Sequence, residues 1–232
     1  MKYYELINSV VLKQDIPFAH SFSITSEYIN KAMLRNNELK HIHKNNKVKL
    51  YNFSSFYPIE KDKIYKKGRV YIFRIRSIDQ QFLTNLMTSM KTTLVDTLQI
   101  INSELIIRKQ KPIKEIVSIT PVVITSEEGY KLPELNQLEF VEKRLKALLE
   151  KKYNTYFDKT LSVNELAINI QRTNDKPIKI PYKNINLLGY KFKLEIDLTD
   201  EAQTLATLAL ASGLGEKSSL GFGYCVANFI RR

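Results

Sequence analysis

Two hydrophobic periods alternate along this chain in a fixed order, and that order leaves few folds open. The short period is clearest over 190–198, where Tyr190, Phe192, Leu194, Ile196 and Leu198 alternate with Lys191, Lys193, Glu195 and Asp197. A period of two puts one set of side chains on each face of a strand. The long period is clearest over 134–153. There Leu135, Leu138, Val141, Leu145, Leu148 and Leu149 share one helical face, and Glu139, Lys143, Lys146 and Glu150 take the other. The same signals predict strands over 2–12, 47–57, 69–75 and 98–108, a helix over 79–92 and a shorter one over 25–35. Residues 36–46 are polar and read as a loop. Downstream, 116–125 reads as a strand interrupted by Pro121, which implies an edge or a bulge. A strand at 166–171, a helix over 201–211 capped by Thr199 or Asp200, and a last strand at 224–230 complete the set.

The order is strand, helix, strand, strand, helix, strand, twice over. That βαββαβ pattern is the split βαβ unit, so the chain is expected to be α+β: two ferredoxin-like (RRM-like) domains in tandem. The expected domains are 1–113 and 114–232, with the boundary near 112–115. No sequence repeat accompanies the duplication, which rests on element order alone.

Charge points to a partner. Lysine and arginine number 36 against 24 acidic residues, a net charge of +12. Such a surplus favours a polyanion, because each neutralised phosphate releases condensed counterions. The basic residues gather in clusters over 44–49, 61–67, 108–114 and 176–183. A single cysteine, Cys225, excludes an internal disulfide framework and a cysteine zinc cluster. The opening residues break their apolar run with charge at once, unlike a secretory signal, and no run is long enough to span a bilayer. A cytoplasmic protein without a membrane partner is expected.

Four of the seven glycines fall within 213–223, the segment GLGEKSSLGFG. Glycine permits positive φ, and successive N–H groups in such a turn form a concave anion site. Lys217, with Ser218 and Ser219 beside it, suits phosphate oxygens. A tight helix-to-strand connection explains the glycines equally well. The Walker pattern is absent.

The stretch GLGEKSSLGFGYC is similar to the C-terminal glycine-rich signature of the RAMP superfamily, in the form carried by CRISPR repeat-RNA-processing endoribonucleases. Its position between the last helix and last strand, the tandem order, the length and the segment SITPVVIT agree with that family. The resemblance implies cleavage of CRISPR precursor RNA within its repeat, without metal or other cofactor, by attack of the RNA's own 2′-hydroxyl. The ends left would be a 2′,3′-cyclic phosphate and a 5′-hydroxyl. The implied partner is CRISPR repeat RNA. Other CRISPR effector subunits and a homodimer are further partners such a family allows. The alternative within the superfamily is an RNA-binding subunit that does not cut.

Such chemistry needs a proton-transfer group and a fixed positive charge. The three histidines are His20, His41 and His43. His20 has no predicted helix in front of it and is left aside. The family places a histidine after the first helix and a lysine shortly downstream, which implies His43 as general acid/base and Lys49 as the charge. Tyr28 in the first helix completes the family's trio. His41 is the rival histidine or a phosphate contact, with Lys47 as a further RNA contact. Gly213, Gly215, Lys217, Ser218, Ser219, Gly221 and Gly223 are the expected RNA-binding loop. Glu127 and Glu128 are the one adjacent carboxylate pair in the loops, which does not make a two-metal nuclease centre.

Overall fold

The computed structural model describes residues 1–45, 48–125 and 137–230. Its first half contains β1 (Lys2–Leu12), β2 (Ile16–Pro17), α1 (Phe18–Met33), α2 (Asn37–Lys44), β3 (Tyr51–Phe53), β4 (Ile64–Tyr65), β5 (Val70–Ser77), α3 (Gln80–Thr92) and β6 (Leu98–Lys109). The second contains β7 (Ile113–Ser118), α4 (Leu138–Phe157), β8 (Ala167–Arg172), β9 (Ile178–Tyr182), β10 (Ile185–Gly189), β11 (Phe192–Ile196), α5 (Asp200–Ser212) and β12 (Cys225–Phe229).

Alternation along β1 explains how the halves meet. Tyr4, Leu6 and Val10 enter a core with α1 and α3, whereas Tyr3 points the other way into a second core with α5. β1 is central, antiparallel to β5 and β6, with Leu6 opposite Ile75 on one side and Leu105 on the other. The two sheets have the orders β3-β5-β1-β6 and β12-β7-β11-β8. Each is a ferredoxin-like sheet with its own second, third, first and fourth strands side by side. The chain is therefore an α+β tandem ferredoxin-like fold, and it crosses between sheets from Lys109 to Ile113. α5 packs on β1, β3 and β5 as well as on its own sheet, so the halves are interlocked. No helix of the described residues is long and apolar enough to cross a membrane.

Several expectations are corrected. Most of the stretch expected as a loop over 36–46 is helix: Asn36 caps α2, Asn37–Lys44, by accepting the Leu39 amide at 3.1 Å. This helix offers only Leu39 and Ile42 to the core, too short a stripe to register as a period. α1 starts at Phe18, not near residue 25. Its first turns accommodate serine because Ser21 and Ser23 return hydrogen bonds to the carbonyls of Phe18 and His20. Of the strand expected at 47–57, the residues described from 48 onward hold only β3. β7 is an interior strand rather than an edge, and it ends at Ser118, before Pro121 can deprive the ladder of a donor. The hairpin β9–β10 was not expected. It sends Ile180 and Leu187 into the first core, against α1. The start of the helix expected over 134–153, at 134–136, lies outside the described residues, as do Glu127 and Glu128.

Candidate functional site

The C-terminal end of α2 brings His43 and Lys49 together. The last carbonyls of a helix lack internal partners and carry its partial negative charge. The Lys49 ammonium fills that need: Nζ donates to the carbonyls of Ile42, His43 (3.3 Å) and Asn45 (2.5 Å). Burial lowers the Lys49 pKa. All three of its protons have carbonyl acceptors, so Lys49 first of all clamps the turn that carries His43.

The helix also separates the two histidines. At 3.6 residues per turn, positions two apart point about 200° away from each other. They would share a face on a strand, but not here. His43 stands one turn beyond buried Leu39 and is half-buried, whereas His41 is exposed. His41 opens instead onto a pocket of about 200 Å³ that Lys49, Asp79 and Tyr156 also line. Lys47 lies outside the described residues.

Tyr28 is not brought to this surface. Its ring sits in the first core at 2% exposure, and its hydroxyl donates to the Met90 carbonyl at 2.7 Å. Burial pushes its phenol pKa up, so it holds its proton throughout the ordinary range. The geometry gives it the work of joining α1 to the end of α3.

The glycine segment is a joint rather than an open cradle. Gly213, Gly215, Gly221, Gly223 and Ser218 are all buried, and the exposed side chain is Lys217, with Ser219 half-buried beyond it. At Gly213 (φ +80°) a Cβ would lie 2.0 Å from Asn52 Nδ2, which reaches across from β3 to donate to the Phe222 carbonyl at 2.8 Å. At Gly221 (φ +86°) a Cβ would meet the rings of Phe53 and Phe22 at 2.8 and 2.9 Å. Glycine is required because the first half has moved into the space of the missing side chains. Glu216 anchors the turn from the other side, accepting the Thr125 hydroxyl at 2.5 Å and an Arg144 guanidinium N–H at 3.1 Å.

Three further features escaped the sequence pattern. Lys152 of α4 is buried, with Nζ donating to the carbonyls of Ser212 (3.0 Å) and Gly213 (2.7 Å), and burial pulls its pKa down to about 8. It reads as one polar position on an amphipathic helix, so nothing in the sequence marks it as internal. One turn on, Tyr156 reaches the His41 pocket from the second half. Glu5 is buried on β1 between two arginines, accepting Arg76 Nε at 2.7 Å and Arg108 Nη2 at 2.6 Å. Arg76 in turn donates to the Cys225 carbonyl at 2.7 Å, tying β5 to β12.

Residues 104–227, more than half of the chain, match the family described as "CRISPR associated protein Cas6, C-terminal". The chain belongs to this Cas6 family. The matched span contains the glycine joint, Lys152 and Tyr156, and it stops short of α2. Solved structures extend the likeness to the whole fold. One titled "CRISPR associated protein Cas6" aligns with TM-score 0.69 at 20% identity, over 97% of this chain and 99% of its own. "An RAMP protein binding different RNA substrates" aligns with TM-score 0.72 at 17% identity, over 97% and 99%. A third, "Characterization of a Cas6-related gene from Pyrococcus furiosus", gives 0.71 at 17%, over 97% and 98%. Comparison with curated protein sequences finds no match.

Proposed function

We propose that this Cas6-family chain is an endoribonuclease that cuts CRISPR precursor RNA within the repeat, with His43 moving the protons. The observation that carries the reading is the junction of His43 and Lys49 at one helix end, in a chain of net charge +12. An imidazole is suited to both proton transfers near neutral pH. His43 takes the 2′-hydroxyl proton as O2′ attacks the neighbouring phosphorus. The P–O5′ bond then breaks, and the departing 5′ oxygen leaves as a hydroxyl once protonated. No bond to a metal is needed for these steps. Lys49 holds the histidine-bearing turn in place and keeps a positive charge beside it, and Lys217 offers a second cation at the joint of the two halves. The basic clusters then track the RNA backbone, so affinity falls steeply with salt.

A second reading is an RNA-binding subunit that does not cut. The engagement of all three Lys49 protons by carbonyls and the burial of Tyr28 favour it. One assay separates the two. The protein is incubated with repeat RNA in excess chelator, beside a repeat carrying a single 2′-deoxyribose at the cut linkage. The nuclease reading expects one cut, a cyclic-phosphate end, and no cleavage of the deoxy control. Binding without cleavage leaves the subunit reading, and cleavage that requires added divalent metal contradicts the proposed chemistry.

A further inference from the structure

We propose that the pocket beside α2 receives one unpaired nucleobase of the RNA next to the cut linkage, with Tyr156 as its stacking wall; this rests on reading the chain as an RNA endonuclease. The pocket has a volume of about 200 Å³ and draws on both halves. His41 comes from α2, Lys49 and Leu50 from the approach to β3, Asp79 and Phe82 from the start of α3, and Tyr156 from the end of α4.

Its chemistry suits a base better than a phosphate. The Lys49 ammonium is spent on helix carbonyls, and Asp79 presents a carboxylate that would repel an anion. Asp79 is itself fixed in place, accepting the Phe82 amide at 2.9 Å as the cap of α3. The lining is mostly apolar, with Val48, Leu50 and the edges of the stacked, buried pair Phe82 and Tyr51, whose centroids lie 5.0 Å apart. Flat apolar walls with a few polar groups at the rim are how single-stranded bases are held.

Tyr156 lines the pocket and is 40% exposed, so its ring has surface to offer a ligand. Phe157 packs perpendicular to it, at 4.9 Å and 86°, which restrains the ring. Burial, and then the Asp79 charge, push its phenol pKa up, so the ring stays neutral. His41 and His43 are two residues apart, about 3 Å along the helix axis. The two rings point to different sides of α2, but Lys49 lines the pocket and donates to the His43 carbonyl at 3.3 Å, so a base seated there lies beside the turn that carries His43.

The test uses repeat RNA made uncleavable by 2′-deoxyribose at the cut linkage, in a series with 2-aminopurine at successive positions. Stacking on an aromatic ring quenches that base's fluorescence. Wild-type protein and Tyr156→Phe should both quench it at one position flanking the linkage, and Tyr156→Ala should not. Tyr156→Ala should also weaken binding by roughly 5- to 100-fold. The proposal is overturned if quenching survives Tyr156→Ala at every position, or if Tyr156→Phe fails as completely as Tyr156→Ala. Because the readout is binding, the two proposals fail separately. Cutting without Tyr156-dependent quenching removes only the base pocket, and quenching without cutting of the all-ribose repeat removes only the nuclease.

Discussion

Replacing Gly213 by alanine tests whether the glycine segment is a joint. The backbone there has φ +80° and ψ 153°, a region that residues with a Cβ rarely enter. Holding alanine in it costs of order 1–3 kcal/mol. The new Cβ would also lie 2.0 Å from Asn52 Nδ2, and Asn52 is fully buried. Asn52 must swing away and give up its hydrogen bond to the Phe222 carbonyl, leaving buried groups unpaired for about 1–3 kcal/mol more. The sum, about 2–6 kcal/mol, is a large part of the ~5–15 kcal/mol that holds an ordinary domain folded. Gly68 supplies the control: its φ is +78°, but nothing lies within 4 Å of an added Cβ. Gly68→Ala therefore carries only the backbone penalty, about 1–2 kcal/mol. Urea unfolding of both variants, and of Gly213→Ala combined with Asn52→Ala, measures the difference. The double variant should fall short of the sum of its parts, since both substitutions remove one contact. Equal losses for Gly213→Ala and Gly68→Ala, or full additivity with Asn52→Ala, would refute the joint.

Two other predictions concern buried charge. Glu5→Gln leaves Arg76 buried with its carboxylate partner gone and should lower stability by about 3–5 kcal/mol in urea unfolding at neutral pH. Burial opposes the Glu5 charge, but Arg76 and Arg108 outweigh it and hold the carboxyl below its ordinary range. The stability from this charge is thus present above the unfolded carboxylate pKa and is lost as the pH falls through the folded one. The gap between wild type and Glu5→Gln should narrow below about pH 4, and a gap unchanged by acid would contradict it. Lys152 follows the same sign in a higher pH window: with its folded pKa near 8 and its ordinary value at 10.5, the unfolded chain holds more protons between those limits. Wild type should therefore gain stability relative to Lys152→Met as pH rises from about 8 towards 10.5, by about 3 kcal/mol at most, and parallel pH profiles would rule this out.

The fold was legible because strand and helix periods survive wherever one face is buried. The alternation leading into β11 and the stripe of α4 each reflect a face turned to a core. α2 was not legible, since a two-turn helix held by an Asn36 cap and a Lys49 clamp buries too little to leave a period. The β9–β10 hairpin hid in the same way: it packs on α1 from a segment whose lysines read as a solvated cluster. At the site, the glycine spacing marked the right segment but not its use. Positive φ is needed both for an anion cradle and for close packing, and only the position of Asn52 and Phe53 against Gly213 and Gly221 separates them. Glu5 and Lys152 gain their roles from partners distant in sequence, and Tyr156 from a pocket it shares with the first half, none of which a local pattern encodes.

The central claim is that the His43 imidazole moves the protons. Single-turnover cleavage of repeat RNA in chelator, measured for wild type, His43→Ala and His41→Ala beside their RNA affinities, tests it most directly. The account predicts a loss of roughly 10²–10⁴-fold in rate for His43→Ala with affinity nearly unchanged. His43→Ala cutting at the wild-type rate would contradict it.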